Sequence, residues 1–183
     1  IERLFIQWGF SQVFPAKTMC AHVTTWNKNS SVKFRTDVAM MCKLGFDIKL
    51  ADMSKDDEAY CRAAVQNYNR LKPVVLEGDM YRLVSPYGSN HTSTMYVGKD
   101  KDKAVVFAFD IHPRYAEKTL PVRLQGLDAD KMYRVKEINL MPGGNSSLSG
   151  NGKVFSGEFL MNVGLNLFTT QQLNSRVIEV VAE

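Results

Sequence analysis

RTDVAMMCKLGFDIKLADMSKDDEAYCRAAVQNYNRL, residues 35–71, carries the alternation that decides the fold. Its first part, roughly Arg35 to Lys43, reads as a helix that Gly45 punctuates, since glycine readily takes the backbone conformations that end a helix. GFDIKL, residues 45–50, then reads as a short strand. Ser54 with Asp57 three positions on forms a capping box, and Asp56 and Glu58 add negative charge to the first turn. Together they launch a helix containing Ala59, Ala63, Ala64, Tyr68 and Leu71.

The same rhythm runs upstream. Ile1, Leu4, Phe5 and Trp8 fall at i, i+3, i+4 and i+7, one apolar stripe of an amphipathic helix. TMCAHVTTW, residues 18–26, is strand-like and runs into the polar loop NKNSSVKF, residues 27–34. Helix, strand, helix, strand, helix is the order of an α/β protein with parallel strands. Two strands do not complete such a sheet, and large apolar groups on an uncapped first turn would fray. The pattern therefore expects more structure ahead of Ile1.

Near residue 80 the periodicity changes to two. YRLVS, TMYVG, AVVFAFDI, LPVRLQG, MYRVKEI, VFSGEFLM, LNLFTT and SRVIEVV are short, rich in β-branched and aromatic residues, and divided by turn residues. In AVVFAFDI, Val105, Phe107, Phe109 and Ile111 share one side while Ala108 and Asp110 take the other. GKDKDK, residues 98–103, reads as a hairpin loop, and PGGNSSLSGNG, residues 142–152, as a long exposed loop too glycine-rich to pack. About eight such segments in succession predict an antiparallel β-sandwich. The expected division is 1–79, an α/β part, and 80–183, an all-β part.

Composition narrows the function. At 183 residues and 45% hydrophobic, the chain is long enough for a real core. A net charge of +4 with interspersed signs gives no basic stripe for nucleic acid or an anionic membrane surface. No apolar run approaches the roughly 18 residues of a spanning helix. Cys20, Cys42 and Cys61 form no C-x-x-C pair, and Cys20 with His22 makes two potential ligands, too few for a metal site. Free thiols are the expectation. The sequons at Asn29, Asn90 and Asn145 matter only in a secreted eukaryotic protein.

Six stretches, in this order, resemble the C-terminal end of the family 36 glycoside hydrolases, the bacterial α-galactosidases. They are IERLFIQWG (1–9), TMCAHVTTW (18–26), RTDVAMMCKLGFDIKL (35–50), GDMYRLVSP (78–86), VRLQGLDADKMYRV (122–135) and SGEFLMNVGLNL (156–167). The resemblance implies a (β/α)8 barrel followed by a β-sandwich. On it, the first helix is barrel helix 6, the TMCAH strand is strand 7, GFDIKL is strand 8, and the helix after Ser54 closes the barrel. The α/β half, 1–79, is then the C-terminal remnant of the catalytic barrel, and 80–183 is the sandwich that braces it.

The implied chemistry is retaining hydrolysis of terminal α-galactosides of the melibiose and raffinose type. One carboxylate attacks the anomeric carbon, and a second, about 5 Å away, protonates the leaving oxygen and then activates water. In the family these groups follow strands 4 and 6, so the resemblance places both upstream of Ile1 and neither catalytic residue in this chain. It retains the rim after strands 7 and 8, where barrel enzymes put binding loops. His22, read as ending strand 7, could donate to a sugar hydroxyl. Trp26 in the following loop could stack on a sugar face, and Asp47 lies near strand 8.

For each of these there is a plain structural alternative: a satisfied strand-end histidine, a packing aromatic, and a carboxylate in a helix-facing ion pair. Arg35 and Asp37 are expected to cap and pair rather than bind sugar. Tyr81, Tyr96, Tyr133, Phe107 and Phe109 could form a carbohydrate platform, but aromatic residues at strand spacing are expected in the core. Cys20, where the family leads one to expect a small glycine-like residue, and the wording of the Asn27–Phe34 loop both depart from the pattern. No cofactor or metal is implied. The resemblance leaves open a homo-oligomer, a cytoplasmic or periplasmic location, and two alternatives: a galactosyl transferase or α-N-acetylgalactosaminidase on the same fold, or a non-catalytic carbohydrate-associated module.

Overall fold

The computed structural model describes residues 1–26 and 29–183. The chain begins with α1 (Glu2–Phe10), a 3₁₀ turn at Ala16–Thr18, β1 (Cys20–Thr24), α2 (Val32–Ala39) and β2 (Lys43–Asp47). After a second 3₁₀ turn at Leu50–Asp52 comes α3 (Lys55–Glu77). The strands β3 (Asp79–Val84), β4 (His91–Val97), β5 (Lys103–Asp110), β6 (Met132–Ile138) and β7 (Val154–Ser156) follow, then α4 (Gly157–Asn162) and β8 (Asn174–Ala182). The result is a mixed helix and sheet protein: β1 and β2 pair in parallel, and the other six strands form one antiparallel sheet in the order β3-β4-β5-β8-β6-β7.

Local sequence accounts for the helix starts. Ser31, Ser54 and Ser156 each accept a hydrogen bond from the backbone N–H three residues on, at 3.1 Å, and so cap α2, α3 and α4. The cap at Ser31 moves α2 earlier than the expected Arg35–Lys43. It ends at Ala39, and the buried Met40, Met41 and Cys42 turn the chain into β2. Gly45 accordingly stands within a strand and does not end a helix.

The switch at residue 79 has a steric cause. A Cβ on Gly78 would stand 2.5 Å from the Val97 carbonyl oxygen, so only glycine lets α3 run straight into β3 beside β4.

The six-stranded sheet has a core on each face. On one side Tyr96, Val105, Phe107, Phe109 and Val177 pack with the Tyr60, Ala64, Tyr68 and Leu71 stripe of α3 and with Phe34 and Val38 of α2. On the other, Met95, Val106, Ala108, Ile178 and Val180 meet Leu124, Leu160, Leu165 and Leu167. Each Val, Leu, Ile, Phe or Met side chain among them contributes roughly 1.5–3 kcal/mol on leaving water. The near core is continuous from α1 to β8, so the helical and strand halves share it.

Three strand expectations are corrected on the far face. LPVRLQG and LNLFTT do not join the sheet; they run extended and meet at a single bridge, Val122 to Leu165, with reciprocal bonds of 2.8 and 3.0 Å. VFSGEFLM is strand only to Ser156, whose cap then starts α4. The 142–152 loop is mostly exposed, but Leu148 inserts into the far core and anchors it. The stripe of α1 is turned inward: Leu4 is buried and Ile1 and Phe5 pack on the near core, while Ile6, Phe10, Val13 and Phe14 are exposed. Among the described residues no helix is long and apolar enough to cross a membrane.

Candidate functional site

Strand alternation in β1 buries Ala21 and Val23 against the helical side and leaves Cys20 and His22 exposed on the other, with Thr24. The parallel register sets Cys20 opposite Lys43, His22 opposite Gly45, and Thr24 opposite Asp47. One face of this two-stranded unit therefore carries Cys20, His22, Thr24, Lys43 and Asp47. Among the described residues both outer edges are unpaired.

His22 sits in the middle of β1 and does not end it, as the sequence reading had it. Arg3 of α1 donates to its carbonyl oxygen at 2.5 Å, fixing the strand against the first helix. Asp47 is the last residue of β2 and exposed, and no described residue forms an ion pair with it. The helix-facing ion pair offered as its structural alternative is not made among the described residues. Trp26 lies two residues beyond β1, at the same end of the unit as Asp47, and is 89% exposed, so it plugs no core. A cleft of about 260 Å³ runs beside β1, with Arg3, Ile6, His22, Thr24 and Arg35 among its lining. Asn27 and Lys28, part of the loop whose wording departs from the family, lie outside the described residues.

Arg35 donates to the Thr24 and Ser31 carbonyl oxygens and so holds the end of β1 to the start of α2. Asp37 is fully buried. It accepts from Lys33 Nζ at 2.6 Å, Ser175 Oγ at 2.7 Å, Tyr60 Oη at 2.8 Å and Asn139 Nδ2 at 3.0 Å. Asn139 reaches it from a left-handed backbone (φ 57°), a conformation asparagine tolerates well. Burial first, then the Asp37 charge, hold the Tyr60 phenol well above its usual range, so Tyr60 stays a donor. This cluster joins α2 to α3, β8 and the end of β6; it is a structural junction.

Other groups of catalytic type are held in the interior. Cys42 is buried, and burial, with a smaller contribution from Cys20, pushes its thiol up to about 12, which leaves it protonated and unreactive at neutral pH. The sequence reading missed a second polar centre. His91 Nδ1 lies 2.8 Å from Asp110, the ring stacks on Phe168 at 4.6 Å, and Asp110 also accepts from Thr169 and Asn174. These bonds tie the β4–β5 end to the loop before β8. Tyr96, Tyr133, Phe107 and Phe109 are buried and Tyr81 is partly so, and the Tyr96 and Tyr133 hydroxyls donate to the carbonyls of Met41 and Lys101. They are core, not a platform.

The exposed face of β1–β2 and the Trp26 turn thus offer a hydroxyl, an imidazole, an ammonium, a carboxylate and an exposed indole. Such a set can hydrogen-bond and stack a polyhydroxylated ligand, but it holds no close carboxylate pair. Lys43 and Thr24 were missed from sequence because the register that aligns them is a long-range property.

Comparison with known proteins gives this arrangement a setting. Two family profiles match consecutive parts of the chain: Melibiase over residues 1–78 and the glycosyl hydrolase family 36 C-terminal domain over 91–180. Alpha-galactosidase 2 of Hypocrea jecorina is 34% identical over 97% of this chain, and a probable alpha-galactosidase G of Aspergillus terreus 33% over the same share. This chain spans 23% of the length of each. The solved family 36 alpha-galactosidase AgaB of Geobacillus stearothermophilus overlays 99% of the chain at a TM-score of 0.85 and 27% identity, with 24% of that protein covered. A variant of AgaA from the same organism, solved in complex with raffinose, overlays it equally well at 26% identity. Similarity therefore extends to fungal as well as bacterial proteins.

Proposed function

The chain belongs to glycosyl hydrolase family 36, and from that premise we propose that it is the C-terminal part of a retaining α-galactosidase acting on terminal α-galactosides of the melibiose and raffinose type. The observation that carries this reading is the ordered pair of family matches, 1–78 then 91–180, on a chain that overlays solved α-galactosidases along 99% of its length. Residues 1–79 are the last units of a (β/α)8 barrel, β1 and β2 being strands 7 and 8 and α3 the closing helix. Support comes from the parallel β1–α2–β2 unit and its unpaired edges, which a closed barrel would fill. Residues 80–183 are the sandwich domain. Its second layer is reduced to the extended segments joined at Val122 and Leu165, with α4.

In this reading both catalytic carboxylates come from sequence preceding Ile1. One attacks the anomeric carbon while the other protonates the leaving oxygen and then activates water, with no cofactor. The chain contributes the rim after strands 7 and 8. Trp26 offers a stacking face, and His22 and Asp47 hydrogen-bond sugar hydroxyls. The raffinose and stachyose complexes of the AgaA variants support the choice of substrate class.

The test is hydrolysis of p-nitrophenyl α-galactoside by the 183-residue chain and by a protein extended upstream through a whole barrel. The reading expects turnover only by the extended protein. Activity of the short chain would relocate the carboxylates, with Asp47 the first to replace. An extended protein that binds galactosides without turnover would favour an accessory module, and acceptor-dependent products a transferase.

A further inference from the structure

Gly45 is the direct register partner of His22 across the parallel pair, so their side-chain positions lie on the same face. A Cβ built at residue 45 would stand 2.6 Å from His22 Nε2, 3.3 Å from Cγ, and closer still to Cδ2. The imidazole therefore lies flat across β2, in the volume that a side chain at 45 would take. Nothing in the backbone asks for glycine there, because residue 45 is ordinary strand and is not among the positions with positive φ. Glycine inside a strand weakens it, and its commonest reason is the close approach of another group. Here that group is a histidine ring.

We propose that Gly45 is a positioning residue for His22: the empty place at 45 sets the imidazole across β2, turned toward the face that carries Asp47. This rests on the reading of that face as the substrate side of the barrel. The ring makes no hydrogen bond with a described residue, so its nitrogens are available on that face, and the space over Gly45 is where the ring lies. With any larger residue at 45 the ring must swing about its χ1 and χ2 bonds, and its hydrogen-bonding edge leaves the position that strand pairing gives it.

The test is a double-mutant cycle in the extended, full-barrel protein, with Gly45→Ala, His22→Ala and the pair together. It is read twice: by thermal unfolding, and by kcat and KM for p-nitrophenyl α-galactoside. The proposal expects Gly45→Ala to lower Tm when His22 is present and to leave it unchanged or raised when residue 22 is alanine. It also expects each single variant to lower kcat/KM about tenfold or more, as misplacement of a substrate-positioning group does, and the double variant to be no worse than His22→Ala.

Additive Tm changes would overturn the contact itself. Coupled Tm changes with normal kinetics for His22→Ala would overturn the substrate-side role of His22, and with it the positioning role of Gly45. Coupled Tm changes with additive losses in kcat/KM would show that Gly45 acts on turnover by another route, and that too would overturn the proposal.

Discussion

The β1–α2–β2 unit and the six-stranded sheet are built on opposite plans. In the sheet both faces are covered: strand residues alternate between two apolar cores, and buried His91 pairs with Asp110 of the adjacent strand, which also accepts from Thr169 of the loop before β8. In the parallel unit only one face is covered. The other presents polar and ionisable groups, and its edges are unpaired among the described residues. A sheet of the first kind is buried on both faces, α2 and α3 supplying one of its two cores. A unit of the second kind is held mainly through what it shares with the sheet, the near core and the Asp37 junction.

The largest test of that contrast is Asp37→Ala. It strips acceptors from Lys33, Tyr60, Asn139 and Ser175 at once, and loss of one member of a buried charged cluster costs about 3–5 kcal/mol. Guanidinium unfolding of the chain should show the loss, with α2 and β1 exchanging amide hydrogens faster than β5. A loss below about 1 kcal/mol, the size of one ordinary hydrogen bond, would mean that the apolar core alone joins the two regions.

Leu160→Ala, in the far core, should come next at about 2–5 kcal/mol. It should loosen β5, β6 and β8 together and leave hydrogen exchange in β1 and β2 no faster than global unfolding allows. Preferential loosening of β1 and β2 would contradict the division.

Thiol labelling gives the smallest perturbation. Near pH 8 iodoacetamide should modify exposed Cys20 readily and buried Cys42 hardly at all until the chain unfolds. The sign follows from the Cys42 thiol standing at about 12: below that pH the protonated form dominates, and the reactive thiolate grows only as pH rises toward it. Equal labelling in the native state would mean that the shared core opens easily.

Much of this contrast was legible in the sequence. Ser54 and Asp57 marked the start of α3, and the alternation of Val105, Phe107, Phe109 and Ile111 assigned the faces of β5. The change of period near residue 80 fell where α3 gives way to β3. What escaped was non-local. Val122 and Leu165 look like strand residues because they are extended and apolar, yet they pair only with each other. VFSGEFLM looks like one strand because a serine cap is only a single residue.

In the candidate site, His22, Trp26 and Asp47 could be picked out by residue type and position. The place of Gly45 beneath His22 follows from a parallel register that no local pattern encodes. The partners of Asp37 at 139 and 175 are likewise joined only by the tertiary fold.

Under the proposed function the molecule divides its labour, the exposed face of β1–β2 meeting substrate and the sheet bracing it. The most direct measurement compares Asp47→Ala with Leu160→Ala in an extended, full-barrel protein, following Tm and kcat/KM for raffinose. The account predicts that Asp47→Ala lowers kcat/KM about tenfold or more with Tm nearly unchanged, while Leu160→Ala lowers Tm and leaves the kinetics of the folded enzyme intact. Unchanged turnover in Asp47→Ala, with lost turnover per folded molecule in Leu160→Ala, would contradict it.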